Sequence, residues 1–309
     1  MSTDPDTFLT GLYVFIDECC KALPEPTGRP GPAPALARSE VVTLALFGQW
    51  GRFLSERDFY RYADQHLRAA FPRLPDRSQF NRQVRAEWAT LVAVGHQLAA
   101  RLDAGDAAYE VLDGTGVAVR NSKRRGGGWL PEFAGLGRCS RLGWYEGFHL
   151  LVAATPDGVI TGYGFGSAEA KDQPLAETFF AARHTADPRL STVGVPSGEP
   201  YLADSGFIGA DRHTHWQQAY GARVLCPPYR SATRNWPKPL RRWLSSLRQI
   251  IESVNAKLLL TFRLERERPH TLGGFHARLA AKVALHNFCC WLNRQLARPT
   301  LAFADLLGW

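Results

Sequence analysis

No stretch of this chain approaches the roughly 18 consecutive apolar residues that a membrane helix needs, so no membrane partner is expected. A secretory leader is not evident either: Met1 to Thr7 is acidic, and the apolar run from Phe8 to Ile16 has neither a basic flank nor a cleavage site. The six cysteines lack any CxxC spacing, standing instead as the neighbours Cys19-Cys20 and Cys289-Cys290 and the singles Cys139 and Cys226. That excludes a zinc ribbon or thioredoxin-like motif, and a chain of 309 residues does not need disulfide staples. Reduced cysteines in a cytoplasm are the expectation. GGGW at 126–129 lacks the Lys-Ser/Thr of a phosphate-binding loop, no GxSxG or Ser-His-Asp pattern stands out, and no internal repeat is present.

What is present is a 45% hydrophobic chain, enough for a sizeable core, with a formal charge of +8. The charge is unevenly spread. Between Arg223 and Arg268 basic residues outnumber acids eleven to three, a surplus equal to that of the whole chain. A second cluster, Arg120 with Lys123, Arg124 and Arg125, adjoins a Gly-rich stretch. Such clustering is the footprint of a phosphate-backbone partner, although a solvated basic face accounts for it equally.

Residues 1 to 105 read as all-helical. A helix over 8–22 precedes a Pro/Gly-rich arm at 24–35, and Ser39, Ser55 and near Ser78 look like N-caps of later helices, the last running through Leu102. From about residue 107 the pattern changes. AAYEVLDGTGVAV reads as a strand, YEGFHLLVAATPDGVITGYGFG as a hairpin turning at Pro156-Asp157-Gly158, and DQPLAETFFAARH as a helix. YLADSGF and ARVLCPPY read as strands separated by a helix, and two long helices, 240–262 and 275–296, close the chain. The boundaries expected are a helical domain over 1–105, which we assign to DNA binding, and an α/β domain over 106–309 that keeps the last helix.

Asp113 ends the first strand and is followed by Gly-Thr-Gly; Asp204 ends YLAD and is followed by Ser-Gly. Small residues there leave room for a phosphate or metal to approach. Glu252 lies mid-helix at the margin of a stripe formed by Leu247, Ile251, Val254 and Leu258, sharing a face with Arg248 and Asn255. Alone, it reads as well as a surface salt-bridge partner. Three converging carboxylates would suit a pair of divalent cations roughly 3.5–4 Å apart, the arrangement that cleaves phosphodiesters.

Taken together, LARSEVVTLAL (36–46), VLDGTGVAVRN (111–121), YEGFHLLVAATPDGVITGYGFGSA (145–168), YLADSGFIG (201–209) and the run 248–288 resemble the DDE transposases of bacterial insertion sequences, most closely the nine-eighty-two family. The resemblance implies an RNase H-like mixed sheet with flanking helices after the helical domain. It implies Asp113, Asp204 and Glu252 as catalytic, metal-holding residues, Mg²⁺ as cofactor with Mn²⁺ able to substitute, and double-stranded DNA (terminal inverted repeats and target) as partner. A homodimer or higher synaptic oligomer is also implied. Candidate DNA-binding residues are Lys123, Arg124, Arg125, His149, Arg241, Arg242, Arg248 and Lys257. Neighbouring groups carry a Tyr-Arg-Glu-Lys signature; here Arg248 and Glu252 match it, Ser245 replaces the Tyr, and Leu259 holds the Lys position with Lys257 nearby.

Other residues carry competing readings. His213 and His215 form an H-x-H without a third ligand at metal spacing, His149 reads as a satisfied sheet histidine or a DNA contact, and Asp172 reads most simply as a helix cap. Trp129, Trp144 and Trp236 stand in or near the basic segments. Two further functions compete: a metal-dependent nuclease without strand transfer, and a DNA-binding regulator with an inactive catalytic domain.

Overall fold

The computed structural model describes residues 2–24, 34–121, 130, 132–184, 193–194, 196–229, 235–266, 268 and 270–309. They divide into two compact units, one of Met1–Leu98, Leu260–Arg263 and Gly273–Trp309, the other of Ala99–Leu259 and Leu264–Leu272.

The first unit is helical: α1 (Pro5–Ala22), α2 (Arg38–Phe47), α3 (Glu56–His66), α4 (Arg77–Ala86), most of α5 (Trp88–Arg101) and, from the far end of the chain, α9 (Leu272–Gln295). Local chemistry sets the starts. Asp4 accepts the amides of Asp6 and Thr7 ahead of Pro5, and Ser55 accepts the amide of Asp58. Two expected caps move. Glu40 reaches back to the Ala37 amide at 2.6 Å, so Ala37 takes the cap position and Ser39 is buried in the first turn. Asp76, accepting the amides of Ser78 and Gln79, caps α4 in place of Ser78. The helix expected from Ser78 through Leu102 is broken at Glu87.

α9 belongs with these helices, where sequence grouped it with the sheet. Its apolar side meets α1 in ring contacts of Phe8 with Phe288 (5.4 Å) and of Phe15 with Trp291 (5.2 Å). Buried Lys282 donates to Gln49 and to the Phe262 carbonyl, and Asn287 donates to the Gly95 carbonyl. A stripe this apolar is covered by whatever apolar helices pack well, irrespective of chain order.

The second unit is a mixed sheet with helices on both faces, the RNase H-like architecture. Its strands are β1 (Glu110–Asn121), β2 (Gly135–Cys139), β3 (Gly143–Ala154), β4 (Ile160–Ser167), β5 (Tyr201–Leu202) and β6 (Val224–Leu225). The path runs β2-β3-β1-β5-β6, with β4 also on β3. β2 takes the first part of the β3 edge and β4 the rest, both antiparallel. β1 is antiparallel to β3 and parallel to β5, as is β5 to β6. The β3–β4 hairpin turns at Gly158, whose φ of 79° is the left-handed region that glycine enters without cost.

Side chains alternate across β1. Leu112 joins one core with Leu151, Ala153, Phe179, Phe180 and Trp216, drawn from β3, α6 (Asp172–His184) and α7 (Ala210–Tyr220). Asp113 points the other way, towards α8 (Lys238–Ala256), whose Leu244, Ile251 and Val254 are buried. The helix expected through Phe262 instead leaves α geometry after Ala256 and passes through a π turn at Lys257–Thr261. All six cysteines are free. No helix among the described residues is long and apolar enough to cross a membrane.

Candidate active site

β1 and β5 pair through only Glu110–Tyr201 and Val111–Leu202. After Leu202 the chain turns away, and Asp204 caps the short 3-10 turn Ser205–Phe207 by accepting the Gly206 amide at 2.7 Å. Asp113 and Asp204 therefore both lie just beyond the carboxyl-terminal limit of the parallel pairing, where open α/β sheets part and admit ligands.

α8 supplies the next layer. Arg248 Nη2 donates to Asp113 Oδ1 at 3.3 Å, and Asn255 Nδ2 donates to Asp113 Oδ2 at 3.2 Å. These helix positions are two turns apart on one face, and Glu252, between them, is exposed on that face. Burial pushes the Asp113 carboxyl up to about 7; Arg248 opposes the rise, while the carboxylates of Asp204, Asp172 and Glu252 add to it. Asp204 and Glu252, together with Asp172, thus act on Asp113 through their charge.

The donor set suits a hard divalent cation. It is made of carboxylate oxygens whose mutual repulsion a cation would relieve, and the buried Asn255 Oδ1 has no hydrogen-bond partner beside Asp113. Among the described residues, no three acidic, histidine or cysteine side chains already stand in closed metal-holding geometry.

Asp172 is the residue that sequence undervalued. It opens α6, but its carboxylate meets His149 instead of acting as a simple cap: Oδ1 lies 3.1 Å from His149 Nε2. His149 Nδ1 lies 2.7 Å from the Ala170 carbonyl. Both partners are acceptors, an arrangement that favours the protonated ring. Burial pulls the His149 pKa down, but the bonds to Asp172 and Ala170 outweigh it and hold the value above normal. Both ring nitrogens of His149, expected from the resemblance to contact DNA, have partners within the protein.

A second buried pair sits beneath the site. Arg183 holds Glu110 through two bonds, of 2.9 and 3.0 Å, with both side chains fully buried; Arg183 also reaches the Tyr201 hydroxyl at 3.2 Å, and Thr161 donates to Glu110. This network fastens α6 and β4 to the starts of β1 and β5, three residues before Asp113. Neither residue carried a sequence signal.

The H-x-H does not act as a unit. His213 faces the Phe207 carbonyl and Cys226, whereas His215 meets Glu177. Glu177 also accepts from Trp216 and Tyr220, which clamps α7 to α6. Among the basic candidates, Arg242 is exposed and Arg241 half-buried on the first turns of α8, Arg248 is engaged by Asp113, and Lys257 opens the π turn. Arg223 pairs with Glu199 at 3.9 Å, and Arg263 donates to the Gly51 carbonyl in the helical unit. The backbone of Arg120 lies in β1; Lys123, Arg124, Arg125, Trp129, Arg230 and Arg234 lie outside the described residues. Trp144 is exposed, with the Arg138 guanidinium 6.0 Å from its ring centre.

A family model described as Transposase DDE domain matches residues 111–288, which include Asp113, Asp204 and Glu252. No curated protein and no solved structure matches the chain.

Proposed function

The chain belongs to the transposase DDE domain family, whose model covers more than half of it, and from that premise we propose that it cuts the ends of an insertion sequence and joins the freed 3′-hydroxyl to target DNA. Asp113, Asp204 and Glu252 hold the cations, Mg²⁺ in the cell with Mn²⁺ able to replace it. When bound, the cations activate the attacking oxygen and stabilise the leaving one. The observation that carries this reading is Asp113, set between Arg248 and Asn255 of α8 and raised by burial and three neighbouring carboxylates.

The chain's own groups have separable tasks. Arg248 partly neutralises Asp113, so the carboxylate can ionise near neutral pH. Asn255 holds the second oxygen and fixes the rotamer. Arg241 and Arg242, with Lys123, Arg124, Arg125 and Lys257, attract the phosphates of double-stranded DNA towards an acidic pocket that would otherwise repel it. Recognition of the terminal inverted repeats falls to the helical unit, where α4 exposes Arg77, Arg82 and Arg85. Two ends must be held together for transposition, so the working form is a homodimer or larger synaptic assembly, acting on nucleoid DNA in the cytoplasm.

Incubating the protein with Mg²⁺, a duplex carrying the element end and a supercoiled plasmid tests the reading. Joined end–plasmid products are expected. Cleavage without joining would leave a nuclease, and binding without cleavage would leave a regulator.

A further inference from the structure

The His149–Asp172 pair lies outside the triad, yet it touches both aspartate motifs. A Cβ on Gly114 would stand 2.6 Å from Asp172 Oδ1. A Cβ on Gly206 would stand 2.7 Å from Asp172 Oδ2 and 2.8 Å from Asp204 Oδ1. At such approaches a neighbour would have to shift, so the glycines after Asp113 and Asp204 leave open the volume that Asp172, and at Gly114 also His149, occupies. One Asp172 oxygen is tied to His149, itself anchored on the Ala170 carbonyl. The other lies, with Asp204 Oδ1, beside the space that a Gly206 Cβ would fill.

A pin between α6 and β3 would need only the first of these oxygens. The second brings a carboxylate oxygen to the same gap that Asp204 borders, a gathering of negative charge that a cation would favour. Metal-binding carboxylates are characteristically aimed by such an outer hydrogen bond. We propose that Asp172 is a fourth carboxylate of the cation pocket, sharing a cation with Asp204, and that His149 is the positioning residue that aims it. The inference rests on the metal-dependent reading above.

Calorimetric titration of the full-length protein with Mn²⁺, without DNA, tests it. Asp172→Asn is expected to weaken Mn²⁺ binding at least about tenfold while DNA gel-shifts stay unchanged. His149→Gln keeps a donor for Asp172 and should bind Mn²⁺ near wild-type strength, whereas His149→Leu should bind about tenfold more weakly. If Asp113→Asn loses Mn²⁺ and Asp172→Asn titrates like wild type, the fourth carboxylate is refuted and the parent reading stands. If the wild-type protein takes up no Mn²⁺, or Asp113→Asn binds it unchanged, the parent reading falls and this one with it. Should Asp172→Asn lower the melting temperature, the two His149 variants decide: a difference in Mn²⁺ affinity supports the proposal, and equal affinities overturn it.

Discussion

The guanidinium of Arg248 lies 3.3 Å from a carboxylate oxygen of Asp113, although 135 positions separate the two in the chain. The pair joins the centre of the sheet to α8, and it sets the charge balance around an acid that burial raises. Removing the cation with Arg248→Gln should drive the Asp113 carboxyl above its value of about 7. The acid limb of the cleavage–pH profile should then move to higher pH, with DNA binding little changed. An unmoved limb would show that Asp113 does not govern it.

Asp113→Asn, Asp204→Asn and Glu252→Gln should each abolish cleavage and leave gel-shifts largely intact. An amide keeps the size of a carboxylate but loses the charge that holds a hard cation, whereas DNA affinity comes from many Lys and Arg contacts with phosphates. Near wild-type cutting by Glu252→Gln would remove Glu252 from the ligand set.

The raised Asp113 carboxyl links stability to pH. Its folded value of about 7 stands above the unfolded 3.8, so between these values the folded state binds the extra proton. Stability of the metal-free protein should therefore fall as pH rises from about 4 to about 7 and then level off, by at most roughly 1.4 kcal/mol per pH unit from this group. Thermal melts of wild type and Asp113→Asn in chelator should converge at pH 4 and separate at pH 8, with Asp113→Asn the more stable there. Because proton and cation compete for the same oxygens, Mg²⁺ affinity should weaken below pH 7.

The Glu110–Arg183 pair should behave as a buried ion pair whose members protect each other. Glu110→Gln or Arg183→Met alone should cost about 3–5 kcal/mol in denaturant unfolding, because an uncompensated charge is left inside. The double substitution should recover much of that loss. Single-variant losses within a few tenths of a kcal/mol of wild type would contradict the network's role.

If α4 reads the element ends, replacing Arg77, Arg82 and Arg85 together by Ala should reduce binding to an end-bearing duplex towards that of random DNA. The log-log salt slope should become shallower by about 0.9 for each phosphate that the variant no longer neutralises. Specific binding that survives the triple replacement, alongside loss of self-association, would make this surface a dimer contact.

Much of the second unit was legible in its residues. Gly158 in a Pro-Asp-Gly turn, Asp204 just past the end of its strand, and the helical spacing of Arg248, Glu252 and Asn255 are short-range patterns, and the structure keeps them; Asp113, read as a strand end, lies instead inside β1, which runs on to Asn121 because the antiparallel ladder with β3 continues beyond the two-residue parallel pairing with β5. The helical half was read less exactly. Ser39 and Ser78 resemble caps, but the competition between neighbouring side chains is settled by which one reaches the free amides, here Glu40 and Asp76.

The sequence by itself determined most of the strands and helices and which of them carry the two aspartates, because strand alternation, helical period and turn chemistry act over a few residues; β2, the break at Glu87 and the continuation of β1 past Asp113 were not among its readings. Tertiary structure alone decided the partners. Asp172, one more acid at a helix start in the sequence, meets His149 only when α6 packs against β3. Glu110 and Arg183, 73 positions apart, meet only inside the folded sheet. α9 leaves its sequence neighbours because its apolar stripe is matched by α1. Such contacts depend on which surfaces exclude water together, and no local pattern encodes that.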